Sequence, residues 1–165
     1  MDKDSLTDLQ AVAQSIRIIS TPSQVWTALL ASWAGEKWRN AHFETDWQVG
    51  SPIKISTMIG DERYDDVGHV LRMEPCELLQ YAHWSRVSGL PDTPTSYAII
   101  TFRLSSDGGQ VLLKVEHQVP SSPIRQGDGW IIGPESGLKH AEFYWRSTLP
   151  ILKRVVEERV ARTEI

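Results

Sequence analysis

The sequence predicts an α+β fold in which a curved antiparallel sheet of six to seven strands wraps around a long C-terminal helix. Three observations lead there. From about residue 42 to residue 119 the apolar positions alternate with a period of two, and tight turns punctuate the run. Beyond it, Leu138, Ala141, Trp145, Leu149, Leu152 and Val156 recur every three or four residues, the stripe of one long helix. An antiparallel sheet with one polar face needs its other face covered, and only this helix is long enough to cover it.

Taken in order, residues 1–10 read as a loosely held leader and Ala11 to Ser20 as a first strand, with Ser15-Ile16-Arg17-Ile18-Ile19 at its centre. Thr21 then caps a helix, Pro22 takes the first helical position where its missing N–H costs nothing, and Gln24 completes a capping box. Val25, Trp26, Leu29, Leu30 and Trp33 give that helix an apolar face, and Gly35 is expected to help end it. Six strands follow near 43–48, 52–59, 63–73, 77–85, 95–105 and 110–119. The turns between them are Val49-Gly50-Ser51, Gly60-Asp61, Glu74-Pro75, Leu90-Pro91-Asp92 and Asp107-Gly108-Gly109. The last is the clearest hairpin, returning Thr101-Phe102-Arg103-Leu104 as Val111-Leu112-Leu113-Lys114-Val115. Residues 120–134 hold three prolines and three glycines and read as a long loop. Pro150 lies inside the final helix, so a kink or break is expected near Arg146–Pro150.

At 165 residues the chain fits one domain spanning 1–165, with no repeat and no linker to a second. A net charge of −4 gives no overall basic footprint for nucleic acid. No apolar run approaches the roughly 20 residues that span a bilayer, so no membrane role is expected. The polar start, Met1-Asp2-Lys3-Asp4-Ser5, leads into no signal-peptide core, and Cys76 is the one cysteine. A lone cysteine rules out an internal disulfide and any thiolate metal cluster, and the expected location is cytoplasmic.

Five histidines, His42, His69, His83, His117 and His140, lack the spacing of a metal site, and neither a metal nor another cofactor is expected. His117 ends the Val111, Leu113, Val115 alternation and shares their face. It is either a core histidine satisfied by a carbonyl or water, or a polar anchor for a ligand. Ile100 and Phe102 point inward, which leaves Arg103 in solvent; only a register shift of one would bring Arg103 inside as an anion receptor. Tyr64, His69, Leu71 and Met73, or their alternates, come from the central strands, with Tyr81 and His83 on the next. Such a mixture of apolar area and few polar groups suits a ligand pocket. Asp61-Glu62 and Asp65-Asp66 flank a turn and read as solvated, as do the mixed charges of the final helix. No nucleophile elbow, phosphate loop or paired-carboxylate signature is present, so no catalytic residue is assigned.

In this order and spacing the residues resemble the START-like (SRPBCC) superfamily, and within it the homologues of the activator of Hsp90 ATPase. The likeness runs from about Ile16 to Glu157. It rests on Pro22, Val25-Trp26 and Leu29-Leu30 of the first helix, Trp38 after it, and Asp46 and Gly50 at the next hairpin. Gly68, Val70, Pro75 and Leu78 or Leu79 continue it, followed by His117 and by Trp145, Leu149, Leu152 and Lys153. The chain departs from the family in its proline-rich 120–134 loop, in Pro150, and in the fifth strand, where His83-Trp84 stand near the usual tryptophan.

The resemblance implies a helix-grip fold and a small-molecule binding or carrier protein, with the cavity taking an apolar or aromatic ligand. The expected lining is Trp38, Tyr64, His69, Tyr81, His83, Phe102, His117, Tyr144 and Trp145, with the 120–134 loop and its Trp130 as a lid or rim. Two other readings follow from the same likeness. One is a chaperone-linked interaction module with an exposed apolar patch around Trp33 and Trp38; the other is a cyclase, dehydratase or hydrolase using the cavity, for instance through His117 and Tyr81. A homodimer would be unsurprising if several of the seven tryptophans are exposed.

Overall fold

The computed structural model describes residues 10–120, 125–126 and 131–163. Strand β1 (Gln10–Ile18) is followed by helices α1 (Pro22–Leu30) and α2 (Ser32–Trp38), then by β2 (Ala41–Glu44), β3 (Pro52–Ile59), β4 (Glu62–Glu74) and β5 (Leu78–Trp84). Two short 3-10 turns, Arg86–Ser88 and Pro94–Ser96, lead into β6 (Ala98–Asp107) and β7 (Gln110–Val119). A two-residue pair, β8 (Arg125–Gln126) and β9 (Ile131–Ile132), precedes α3 (Pro134–Thr163). The main sheet has seven strands in the order β1-β7-β6-β5-β4-β3-β2, every neighbour antiparallel. The chain meanders from β2 to β7, and β1 closes the far edge beside β7. The leader expected at 1–10 lies, apart from Gln10, outside the described residues.

Local chemistry sets the turns and caps. Gly108 and Gly109 carry φ of 56° and 86°, the positive values a two-residue turn needs to match the twist of β6 and β7. Thr21 accepts from the Gln24 N–H while the Gln24 side chain accepts from the Thr21 N–H, the expected capping box.

Three sequence expectations are corrected here. The first helix is two helices, because Ala31 is extended at φ −72° and ψ 131° and serves as the end of α1 and the start of α2. Gly35 sits inside α2 rather than ending it; a Cβ there would lie 3.0 Å from the Ala41 carbonyl oxygen, so glycine permits the close approach of α2 to β2. Helix α3 runs unbroken through Pro150 over 30 residues. Pro150 lies on the exposed face, so the Arg146 carbonyl that loses its N–H partner is left on the solvent side, where water can serve it.

Leu149, Leu152 and Val156 of α3 join Ile18, Val25, Leu29, Leu104, Val111 and Leu113 in one apolar core. The C-terminal half of α3 is also tied to the end of β1. Glu157 accepts from the Ile19 N–H at 2.8 Å and from Lys153 at 2.5 Å, and Lys153 donates to the Arg17 carbonyl at 3.1 Å. This half of the helix rests directly on the sheet and on α1. The N-terminal half touches the sheet at Trp145 and at the Glu142 carbonyl, which accepts from Gln14 at 2.9 Å. The space left beside these contacts is the candidate site.

Candidate functional site: a cavity under the first half of the C-terminal helix

A cavity of about 600 Å³ opens between the sheet and the first three turns of α3. Ala41 and Phe43 of β2, Ile55 and Thr57 of β3, Tyr81 and His83 of β5, Ala98 and Ile100 of β6, and His117 and Val119 of β7 form the sheet wall. Ser136, Gly137, His140, Ala141, Tyr144 and Trp145 of α3 form the opposite wall, and Ser85, Ser88, Leu90 and Ser96 close one side. The volume lies within the roughly 300–1,000 Å³ of small-molecule sites, and the lining is mainly apolar with a few polar groups.

Aromatic rings close the inner end. Phe102 meets Trp145 edge-on at 5.5 Å and Trp38 at 6.5 Å, and Tyr81 stands edge-on to Phe43 at 5.6 Å. The Trp145 indole N–H donates to His117 Nδ1 at 2.9 Å. That bond holds both rings and requires His117 to keep Nδ1 unprotonated. Burial, aided by the nearby His83 and His140, pushes the His117 imidazole down to about 4, so it is neutral at pH 7. The partner of Nδ1 is therefore a tryptophan N–H. Burial also pushes the Tyr144 hydroxyl up to about 12.

Two buried charged residues escaped the sequence reading. Arg39, at the end of α2, is only 7% exposed and lines the cavity. Its Nη2 donates to the Leu29 carbonyl at 3.1 Å and its Nη1 to the Tyr81 hydroxyl at 3.3 Å. The guanidinium lies 3.6 Å from the centre of the Phe43 ring and 4.6 Å from that of Trp38. Burial raises the Tyr81 hydroxyl, and the Arg39 charge opposes that rise. Nothing local distinguishes this arginine: at a helix C-terminus, Arg reads as a surface residue complementing the helix dipole. The arginine considered from sequence, Arg103, is exposed as expected.

Asp66 corrects a second expectation, since it is buried rather than solvated. It shares the inward parity of Gly68 and Val70 on β4, which was the one available signal. Its Oδ2 lies 3.0 Å from His83 Nε2, and its Oδ1 accepts from the Arg86 N–H at 2.9 Å. Burial pushes the carboxyl up, but these hydrogen bonds outweigh it and hold Asp66 below its ordinary value. The contact fixes the orientation of the His83 ring in the cavity wall. Among the described residues no three His, Cys, Asp or Glu side chains converge as a metal site would require.

Of the residues expected around the cavity, the structure brings Tyr81, His83, His117, Tyr144 and Trp145 to its wall. Trp38 and Phe102 lie behind that wall, 2% and 0% exposed, with the Trp38 N–H on the Ala28 carbonyl. Tyr64 and His69 stand elsewhere. The Tyr64 hydroxyl donates to Glu62 beside the β3–β4 turn, and His69, on the opposite parity from Gly68 and Val70, packs on Tyr97 at 5.5 Å. The lid expected at 120–134 falls largely outside the described residues, Trp130 included, although Pro120, Gly133 and Pro134 do line the cavity. Of the two residues expected in an exposed apolar patch, Trp38 is buried, whereas Trp33 is exposed, with Arg159 over its ring and Lys37 beside it. No helix among the described residues is long and apolar enough to cross a membrane.

Several solved structures share this architecture. ChR145 from Cytophaga hutchinsonii superposes with a TM-score of 0.71 at 24% identity, over 92% of this chain and 97% of that one. CalU16 from Micromonospora echinospora gives 0.66 at 20% identity, covering 93% and 80%. The Aha1 dimer from Colwellia psychrerythraea gives 0.64 at 20% identity, covering 90% and 96%. At these identities the likeness is one of fold. No curated protein matches the sequence. The family model described as "Activator of Hsp90 ATPase homolog 1-like protein" matches residues 20–157. That span takes in both early helices, six of the seven sheet strands in full and the cavity-bearing part of α3, and it makes this chain a member of the activator of Hsp90 ATPase homologue 1-like family, within the START-like superfamily.

Proposed function

We propose that this protein binds a small apolar or aromatic molecule in the cavity between the sheet and α3, as a carrier or receptor. One observation carries the reading: a single helix packs tightly on the sheet through Trp145, Leu149, Leu152 and Val156, yet over its first turns leaves about 600 Å³ of mainly apolar space between itself and the sheet. Packed interiors rarely leave voids larger than a water molecule. A space of this size, walled by rings held in fixed orientations, is what recognition of an apolar body needs.

The test is titration with N-phenyl-1-naphthylamine, a neutral aromatic probe whose fluorescence rises in apolar surroundings. Saturable binding is expected in the wild-type protein. Ala141→Trp, which places an indole into the cavity from a position 2% exposed, should abolish it while cooperative unfolding is retained. Absence of saturable binding, or binding untouched by Ala141→Trp, would refute the reading.

A further inference from the structure

Resting on that reading, we infer that the cavity selects an organic monoanion, an apolar or aromatic body bearing one carboxylate-like group, with Arg39 as the receptor for its charge. Among the described residues Arg39 is the sole buried cation. A buried charge is costly unless paired, and buried arginines are ordinarily found with a carboxylate. Here no carboxylate of a described residue lies within ion-pair distance, and the cavity lining contains no Asp or Glu. The one buried acid on the inner face, Asp66, is already taken by His83 and the Arg86 N–H.

The hydrogen-bond inventory points the same way. A guanidinium carries five N–H donors, and protein groups take two of them, through Leu29 and Tyr81. The Nε is buried with no partner at all, alone in that respect among the described side chains. The Phe43 and Trp38 faces relieve part of the cost of burying the cation, but they accept no hydrogen bond from its edge. Tyr81 accepts from Arg39 and so keeps its own O–H free to donate. An anion in the cavity would thus meet the guanidinium charge beside a phenol hydroxyl. The remaining ionisable lining groups, three histidines, Tyr81 and Tyr144, add no negative charge at neutral pH. A single guanidinium in a mainly apolar wall fits one charge, not the several of a nucleotide or polyphosphate.

The experiment compares displacement of bound N-phenyl-1-naphthylamine by 1-naphthoate and by 1-naphthamide, which share size and shape and differ in charge. The wild-type protein should prefer the naphthoate about tenfold or more, the ordinary worth of a charge-assisted hydrogen bond in a dry site. In Arg39→Gln the preference should fall to near one, and Arg39→Lys should retain part of it. Should Arg39→Gln fail to fold, the wild-type comparison decides alone. Equal or better binding of the naphthamide by a protein that does bind the neutral probe would overturn the anion assignment and leave the cavity reading standing. Failure of the neutral probe itself to bind would remove both.

Discussion

Lowering the pH from 7 to 5 should destabilise this protein through one residue, His117. In the unfolded chain its imidazole titrates near 6.5, whereas in the folded protein burial, aided by the nearby His83 and His140, holds it neutral down to about 4. The unfolded state therefore binds more protons throughout that window, and stability falls as the pH falls. The contribution is almost intact at pH 7, decreases by about 2 kcal/mol by pH 5, and reaches a full loss of about 3 kcal/mol below pH 4. The held-down carboxyl groups Asp66 and Glu157 also lose stabilisation on acidification, but only as the pH approaches the carboxylate range, so pH 5 largely separates the two effects. Urea unfolding at pH 7 and pH 5 measures the difference. The control is His117→Asn, whose side-chain oxygen can take the place of Nδ1 as acceptor for the Trp145 N–H but does not titrate. The stability lost between the two pH values should shrink in the variant by about 2 kcal/mol. An equal loss in wild type and variant would refute the assignment of a neutral, buried imidazole.

Two backbone predictions follow from the fold. Pro150→Ala should stabilise the protein by about 1 to 3 kcal/mol, since it restores a helix hydrogen bond at an exposed position of an unbroken helix; a lower midpoint of thermal unfolding would contradict this. Gly68→Ala should cost about 3 kcal/mol or more, because its Cβ would lie 2.3 Å from the Ala82 carbonyl oxygen, a backbone atom that cannot move without parting β4 from β5. A loss below about 1 kcal/mol in urea unfolding would show that the strands separate freely at this point.

Much of the architecture was legible because it rests on local rules. The Thr21–Gln24 box, the Gly108–Gly109 turn and the period-two runs of β3 to β7 each depend on residues a few positions apart. The α3 stripe was equally plain, yet it could not say whether the helix touches the sheet or stands away from it. Leu152 and Ala141 look alike in the pattern; one is in the core and the other faces the cavity. The final strand was read correctly to its end, so His117 lies on the inner face as alternation required.

The central strands were harder. Both parities of β4 offer apolar residues, and the register irregularity between Val70 and Arg72 changes the pairing along it. Alternation alone left open whether His69 or Asp66 points inward. The choice is made by Gly68, which allows the β5 backbone to come close, and by His83 across from it.

By itself the sequence determined the class of fold, the order of its elements and the identity of the long covering helix, because periodicity, caps and turns act over short separations. Tertiary structure alone decided that Arg39 is buried with no counter-charge among the described residues. Its surroundings are Leu29 ten residues before it, Phe43 just after it and Tyr81 on β5, and the return of β5 to that place depends on the pairing of the whole sheet. An arginine's burial is a property of what the chain folds around it, and no local pattern records that.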